Sequence, residues 1–256
     1  MYTMSLFMAL ARYYSYGYGY GYGTRSTSDH IGIYILLYAA AIIIPLVAQI
    51  NVSSTFKKYS KISNSRGLTA DQVARMILDA NGLHYVDIEH INGNLSDHFD
   101  PKANVVRLSD SVYGQNSVAA IGVAAHECGH ACQHAESYGP IIVRNKIVPV
   151  TNICSHLWYI VLLAGIVLSS FTIGTALIYV SIAMFAAVVI FQTVTLPVEF
   201  DASNRALKTL EHDGILEPSE VPHAGKVLKA AALTYVAGLL ASILQLLRLL
   251  LSTRRR

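Results

Sequence analysis

The stretch Ala124-Ala125-His126-Glu127-Cys128-Gly129-His130-Ala131 lies in a run with helical patterning and contains the spacing H-E-x-x-H. Residues four apart on a helix lie one above the other on the same face. His126 and His130 can therefore grip one metal ion together. Glu127 sits next to the first of them, where a carboxylate can activate a metal-bound water. Zinc chemistry of the hydrolytic kind needs this set: neutral nitrogen ligands, an open coordination position and a nearby base. The plainer reading is a buried helix with two ordinary histidines. The helical context and a suitable third ligand, Glu199, weigh against it.

Working outward, the spacing predicts a helix over Ser117 to Glu136 with Asn116 as its cap. His134 continues the face of His126 and His130. It lies ~12 Å of helical rise from His126, too far for one straight helix to place all three on one ion. The glycine that a metzincin needs three residues after the second histidine is replaced by Gln133. His134 is therefore read as a supporting or surface residue. Cys128 and Cys132 are also four apart, where a disulfide within one turn is geometrically poor. Cys132 is read as a zinc ligand or, more simply, as a small packing residue. Upstream, Thr69 to Gly82 reads as an amphipathic helix with a Thr69/Gln72 capping box and an apolar face of Val73, Met76, Ile77 and Ala80. Three short strands are expected over His84 to Ile91, Leu95 to Phe99 and Asn104 to Leu108.

The 256 residues are 53% hydrophobic and only 14% charged. Average soluble domains carry roughly 25% charged residues, so much of this surface does not face water. A net charge of +3, without aromatics interleaved among the basic residues, argues against nucleic acid as a partner. Ile31 to Ile50 carries no charge and matches one membrane span of ~20 apolar residues. Ile153 to Leu196 is roughly twice that length and reads as two helices joined by a tight turn near Ser169 to Gly174. Ala230 to Leu251 is a fourth span, or a helix lying in the interface, interrupted by Gln245 and Arg248. The chain thus divides into a low-complexity Tyr/Gly-rich tail (1–30), a span (31–50), a polar part with the motif helix (51–152), a hairpin of spans (153–196), a second polar part (197–229) and a terminal helix with a basic tail (230–256). No internal repeat marks a transporter, and the spans almost lack ionisable residues.

The segments flanking a membrane hairpin emerge on the same side. His126 and His130 therefore share a compartment with Glu199, which adds a carboxylate from a second helix. A catalytic zinc takes three protein ligands and keeps a position for water, whereas a structural zinc takes four. Lys57, Lys58, Lys61, Arg66, Arg144, Lys146, Arg205 and Lys208 flank the spans on this side, against Arg25 and Arg254-Arg255-Arg256 on the other. That count predicts a cytoplasmic site.

Five stretches together resemble the YugP-type neutral zinc metallopeptidases, bacterial membrane proteins. They are Asp97-His98-Phe99-Asp100-Pro101, Val105-Val106-Arg107-Leu108-Ser109, the motif stretch itself, Leu196-Pro197-Val198-Glu199-Phe200-Asp201-Ala202-Ser203 and Ala230-Ala231-Ala232-Leu233-Thr234-Tyr235-Val236-Ala237. The group is similar in turn to membrane gluzincins of the HtpX and CAAX-protease kind. The resemblance implies a mostly α membrane protein with about four transmembrane helices and a small α+β zincin-like catalytic domain on one side. It implies one Zn²⁺ per chain held by His126, His130 and Glu199, with Glu127 as base, in a bacterial plasma membrane. Gluzincins often place an aspartate four residues after the ligand glutamate to orient a zinc histidine. Here that place is Ser203 and the nearby acid is Asp201, and the resemblance leaves both open for the role. It further implies that Val105, Val106, Arg107 and Leu108 form the edge strand that pairs with substrate.

These readings together predict a zinc endopeptidase acting on a peptide or protein substrate, membrane proteins among them. The bilayer is its second partner, and oligomeric state is left open. Arg205 and His98 are the candidate donors to the oxyanion. The competing reading is a membrane scaffold or regulator whose zinc is structural and whose Glu127 is dispensable.

Overall fold

The computed structural model describes residues 26–253. The Tyr/Gly-rich stretch 13–23 and Arg254-Arg255-Arg256 lie outside them. The described residues divide into two units between Leu36 and Leu37. Among the described residues, six helices and three strands follow in order: α1 (Ser26–Tyr59), α2 (Ala70–Ala80), β1 (Asp87–Ile91), β2 (His98–Asp100), β3 (Val105–Ser109), α3 (Val118–Ala135), α4 (Gly139–Val167), α5 (Thr172–His212) and α6 (Val221–Thr253). Four of them, α1, α4, α5 and α6, are long and apolar enough to cross a membrane. The chain is a mostly helical membrane protein with a small α+β part.

The α+β part folds around one apolar core to which α2, the sheet, α3 and the inner ends of α5 and α6 all contribute. In α2 the buried stripe is Ala70, Val73, Ala74, Ile77 and Leu78. The expected face is rotated by part of a turn, because Met76 is 42% exposed and points outward. The Thr69 N–H donates to Gln72 Oε1 at 3.1 Å, as the capping box requires. Gly82, at φ +70°, turns the chain out of the helix.

The sheet order is β1-β3-β2. β3 runs parallel to β1 and antiparallel to β2, with Phe99 opposite Val106. This overturns the expectation that Val105 to Leu108 form an edge. β3 is paired on both sides, and Val105, Val106, Leu108 and Ser109 are all buried. The strand with an open edge toward the motif helix is β2. It is also shorter than expected: Leu95 has φ 53°, outside the extended region, so no strand can begin there.

The cap of α3 is Ser117, whose Oγ accepts from Ala120 N–H at 3.2 Å. Asn116, the expected cap, has another task. Its carbonyl accepts from the Asn64 backbone and side chain at 2.9 and 2.6 Å, tying the segment after α1 to the start of the motif helix.

Two long antiparallel helices, α4 and α5, make the expected hairpin. Its turn, residues 168–171, is tight because a side chain on Gly174 would collide with the Leu168 carbonyl. α5 then continues without interruption past Pro197 to His212, carrying the chain from the hairpin into the α+β core. α3 meets α5 at Gly129. A Cβ there would stand 2.8 Å from the Ala202 carbonyl oxygen, so the two backbones touch. This is why the motif helix is rich in Ala and Gly: only small residues let α3 lie this close to Glu199.

Gly129→Val should therefore push α3 off α5. The expected loss is about 1–3 kcal/mol of stability, the usual cost of overpacking, read as a lower thermal midpoint in detergent together with lost zinc retention.

Candidate metal centre

His126 and His130 stand on adjacent turns of α3 with their rings nearly perpendicular, centroids 4.7 Å apart and planes at 81°. Glu199 comes from α5. Its Oε2 lies 3.4 Å from His126 Nε2 and 3.5 Å from His130 Nε2, and its side chain is only 3% exposed. One ligand atom from each of the three falls within 4.8 Å of the other two.

The supporting hydrogen bonds decide what this cluster is for. Both Nδ1 atoms are already engaged: His126 Nδ1 with Ser203 Oγ at 3.2 Å, and His130 Nδ1 with Gln133 Oε1 at 3.0 Å. Both Nε2 atoms therefore turn toward the same carboxylate oxygen. That oxygen, Glu199 Oε2, is buried and has no hydrogen-bond partner. A buried acceptor left unmet costs about 1–3 kcal/mol, and a cation between the three atoms removes the cost. Two imidazole nitrogens and one carboxylate are also the donor set that zinc takes in a catalytic site. The residues fit the ion.

Sequence reading left Asp201 and Ser203 as rivals for the supporting role. The structure uses both, one for each histidine. Ser203 touches His126 directly. Asp201 reaches His130 through Gln133, whose Nε2 donates to the Val198 carbonyl and to Asp201 Oδ2, both at 2.8 Å. Gln133 is fully buried. Arg205 holds Asp201 in turn at 2.6 Å and Glu136 at 2.8 Å. Through these two bonds, from its Nε and one Nη1 hydrogen, Arg205 braces the ligand support. His98 turns its Nδ1 onto the Ser96 carbonyl at 2.9 Å. Its side chain lies on the face of β2 opposite that of Phe99, which packs on the core.

Glu127 is buried beside the pair. Its Oε2 accepts from the Phe99 N–H at 3.0 Å. That amide is therefore not paired with β3, and the outward-facing donor of β2 is taken by the motif helix. Cys132 is no part of the cluster. Burial pushes its thiol up to about 11, so it stays protonated and packs, as does Cys128. His134 places its ring 5.9 Å from that of Phe99.

One residue escaped the sequence reading. Tyr235, on α6, lies where the charges of Glu199, Glu127 and Arg144 on α4 act on its phenol. The signal was that Tyr235 lies in Ala230 to Ala237, one of the five stretches that carry the resemblance, where no role was assigned to it.

This is the geometry of a HExxH metal centre completed by a glutamate from a second helix, set at the base of a membrane bundle. The chain belongs to the neutral zinc metallopeptidase family, whose model, described as "Putative neutral zinc metallopeptidase", matches residues 34–254. It is also similar to the "Putative membrane protease YugP" of Bacillus subtilis (strain 168). The two are 47% identical over 216 residues, which cover 84% of this chain and 94% of that protein. No solved structure matches the chain significantly.

Two outcomes follow for the metal. Gln133→Leu removes the acceptor that fixes His130 and should weaken zinc binding about 10–100-fold, measured by competition with a chelating dye. The second concerns pH. Burial alone would lower the affinity of His130 for a proton, but the negative charges of Glu199 and Glu127 beside it outweigh burial and raise it from the ordinary imidazole value in the metal-free protein. Zinc must displace that proton. Its affinity should therefore rise with pH through the raised His130 value and level off above it. Equal affinity at about pH 6 and about pH 8 would contradict this coupling.

Proposed function

We propose that this chain is a membrane-embedded zinc endopeptidase. The observation that carries the reading is the convergence of both Nε2 atoms on the unpartnered oxygen of Glu199, with the separate carboxylate of Glu127 alongside. A purely structural site has no use for that second acid. What zinc supplies there is Lewis acidity and a more acidic water.

The protein's own groups do the rest. The substrate backbone lies along the outer side of β2; the Phe99 N–H there already holds Glu127, so the main-chain contact an added strand makes is to the Phe99 carbonyl. Glu127 takes the proton from the attacking water and passes it to the leaving amine. The Phe99 N–H fixes one of its oxygens, so the other faces the reacting atoms. Tyr235 donates its phenol proton as a hydrogen bond to the carbonyl oxygen as that oxygen gains charge, with Arg144 adding a positive field. A preorganised donor of this type is worth about 10²–10³ in rate. The basic residues flanking the spans support a site on the cytoplasmic face.

Glu127→Gln should keep its zinc by elemental analysis and lose peptide hydrolysis. Full activity in that variant would leave the structural-zinc scaffold as the better account. Tyr235→Phe should lower kcat by about 10²-fold or more while KM and zinc content stay near wild type. A change confined to KM would assign Tyr235 to substrate binding instead.

A further inference from the structure

We propose that the cavity beyond the C-terminal end of α3 is a specificity subsite for an acidic side chain of the substrate. The proposal rests on the peptidase reading above and adds a substrate class to it. The cavity measures about 300 Å³ and is lined by His134, Ser137, Ile141, Ile142, Asn145 and Lys146. It lies between the motif helix and the first turns of α4.

Its position follows from two contacts. His134 is one turn beyond the ligand His130, ~6 Å along the helix axis. Phe99, whose amide holds Glu127 on the outer side of β2, places its ring against that of His134. A peptide laid on this edge advances ~3.3 Å per residue and points alternate side chains the same way. A side chain two residues from the cleaved bond therefore reaches the cavity.

Its chemistry is two-sided. Ile141 is buried and Ile142 lies beside it, giving an apolar wall for a methylene stem. Asn145, His134 and Lys146 supply donors, and no lining residue is an acid. The nearest acid in sequence, Glu136, is held by Arg205. Among the described residues, the ion pairs use neither Lys146 nor His134. A glutamate side chain matches this lining: carbon against isoleucine, carboxylate at Lys146 and Asn145.

The test uses the full-length, zinc-loaded protein in nanodiscs and quenched-fluorescence peptides that differ only two residues from the cleaved bond, on either side. The wild type should prefer Glu over Gln about fivefold, the scale of a partly exposed ion pair, and should disfavour Lys. Lys146→Glu should reverse the order of Glu and Lys within the one variant. An unchanged order in Lys146→Glu, or a wild type indifferent to charge, overturns the subsite. The same peptides are also titrated onto the Glu127→Gln protein, where binding is read without turnover. A charge preference there that depends on Lys146 supports the subsite even when the wild type cleaves nothing, an outcome that fells the peptidase reading alone. Dependence on anionic lipid in the nanodisc, with none on peptide charge, assigns the cavity to a headgroup and overturns the proposal.

Discussion

Everything in this structure hangs on a carboxylate kept out of water without a hydrogen of its own. Glu199 Oε2 is buried, and what lies against it is two imidazole nitrogens from a different helix. Packing and chemistry enforce this arrangement together. The backbones of α3 and α5 touch at Gly129 and Ala202, and that contact brings the three ligand atoms within reach of one ion. The histidines cannot turn away, because each has its second nitrogen fastened, one to Ser203 and one to Gln133. Ser203 and Val198, which receives the Gln133 amide, belong to the helix that carries Glu199. The helix that supplies the third ligand thus also aligns the first two.

Much of this was legible in the sequence, and the limits were physical. The spacing H-E-x-x-H alone was enough to put His126 and His130 side by side, as the structure has them. Glu199 followed from topology, because a hairpin of spans returns the chain to the side it left. The support of His130 was not readable. Gln133 sits one turn from its histidine, but its own anchor, Asp201, lies 68 positions further on. Strand order was also out of reach of simple succession. The third strand went to the middle of the sheet because β1 pairs with it in parallel, leaving β2 outside. A signal did exist: Val105-Val106-Arg107-Leu108 is nearly continuous in apolar character, as a strand covered on both faces tends to be. His98-Phe99-Asp100 has only one such residue. Tyr235 lay in one of the stretches that carry the resemblance, but nothing in its spacing pointed to Glu199, which α5 brings near it.

The edge of β2 and the motif helix share one residue as their joint. Phe99 gives its amide to Glu127 and its ring to His134. One residue of β2 thus fixes two side chains of the motif helix, and in the proposed function the strand beside the substrate is also the one that positions the carboxylate. The outer ring of polar contacts, from Gln133 through Asp201 and Arg205 to Glu136, keeps this arrangement in place on the opposite flank.

The proline at 197 sits well inside α5, two residues ahead of Glu199. Proline has no amide to give the carbonyl one turn before it, here that of Thr193, and its ring crowds the same place. Stiffness along the rod is thus lowest just where the lipid-embedded stretch passes into the catalytic stretch. A missing backbone hydrogen bond in α5 therefore falls within a single helical turn of Glu199.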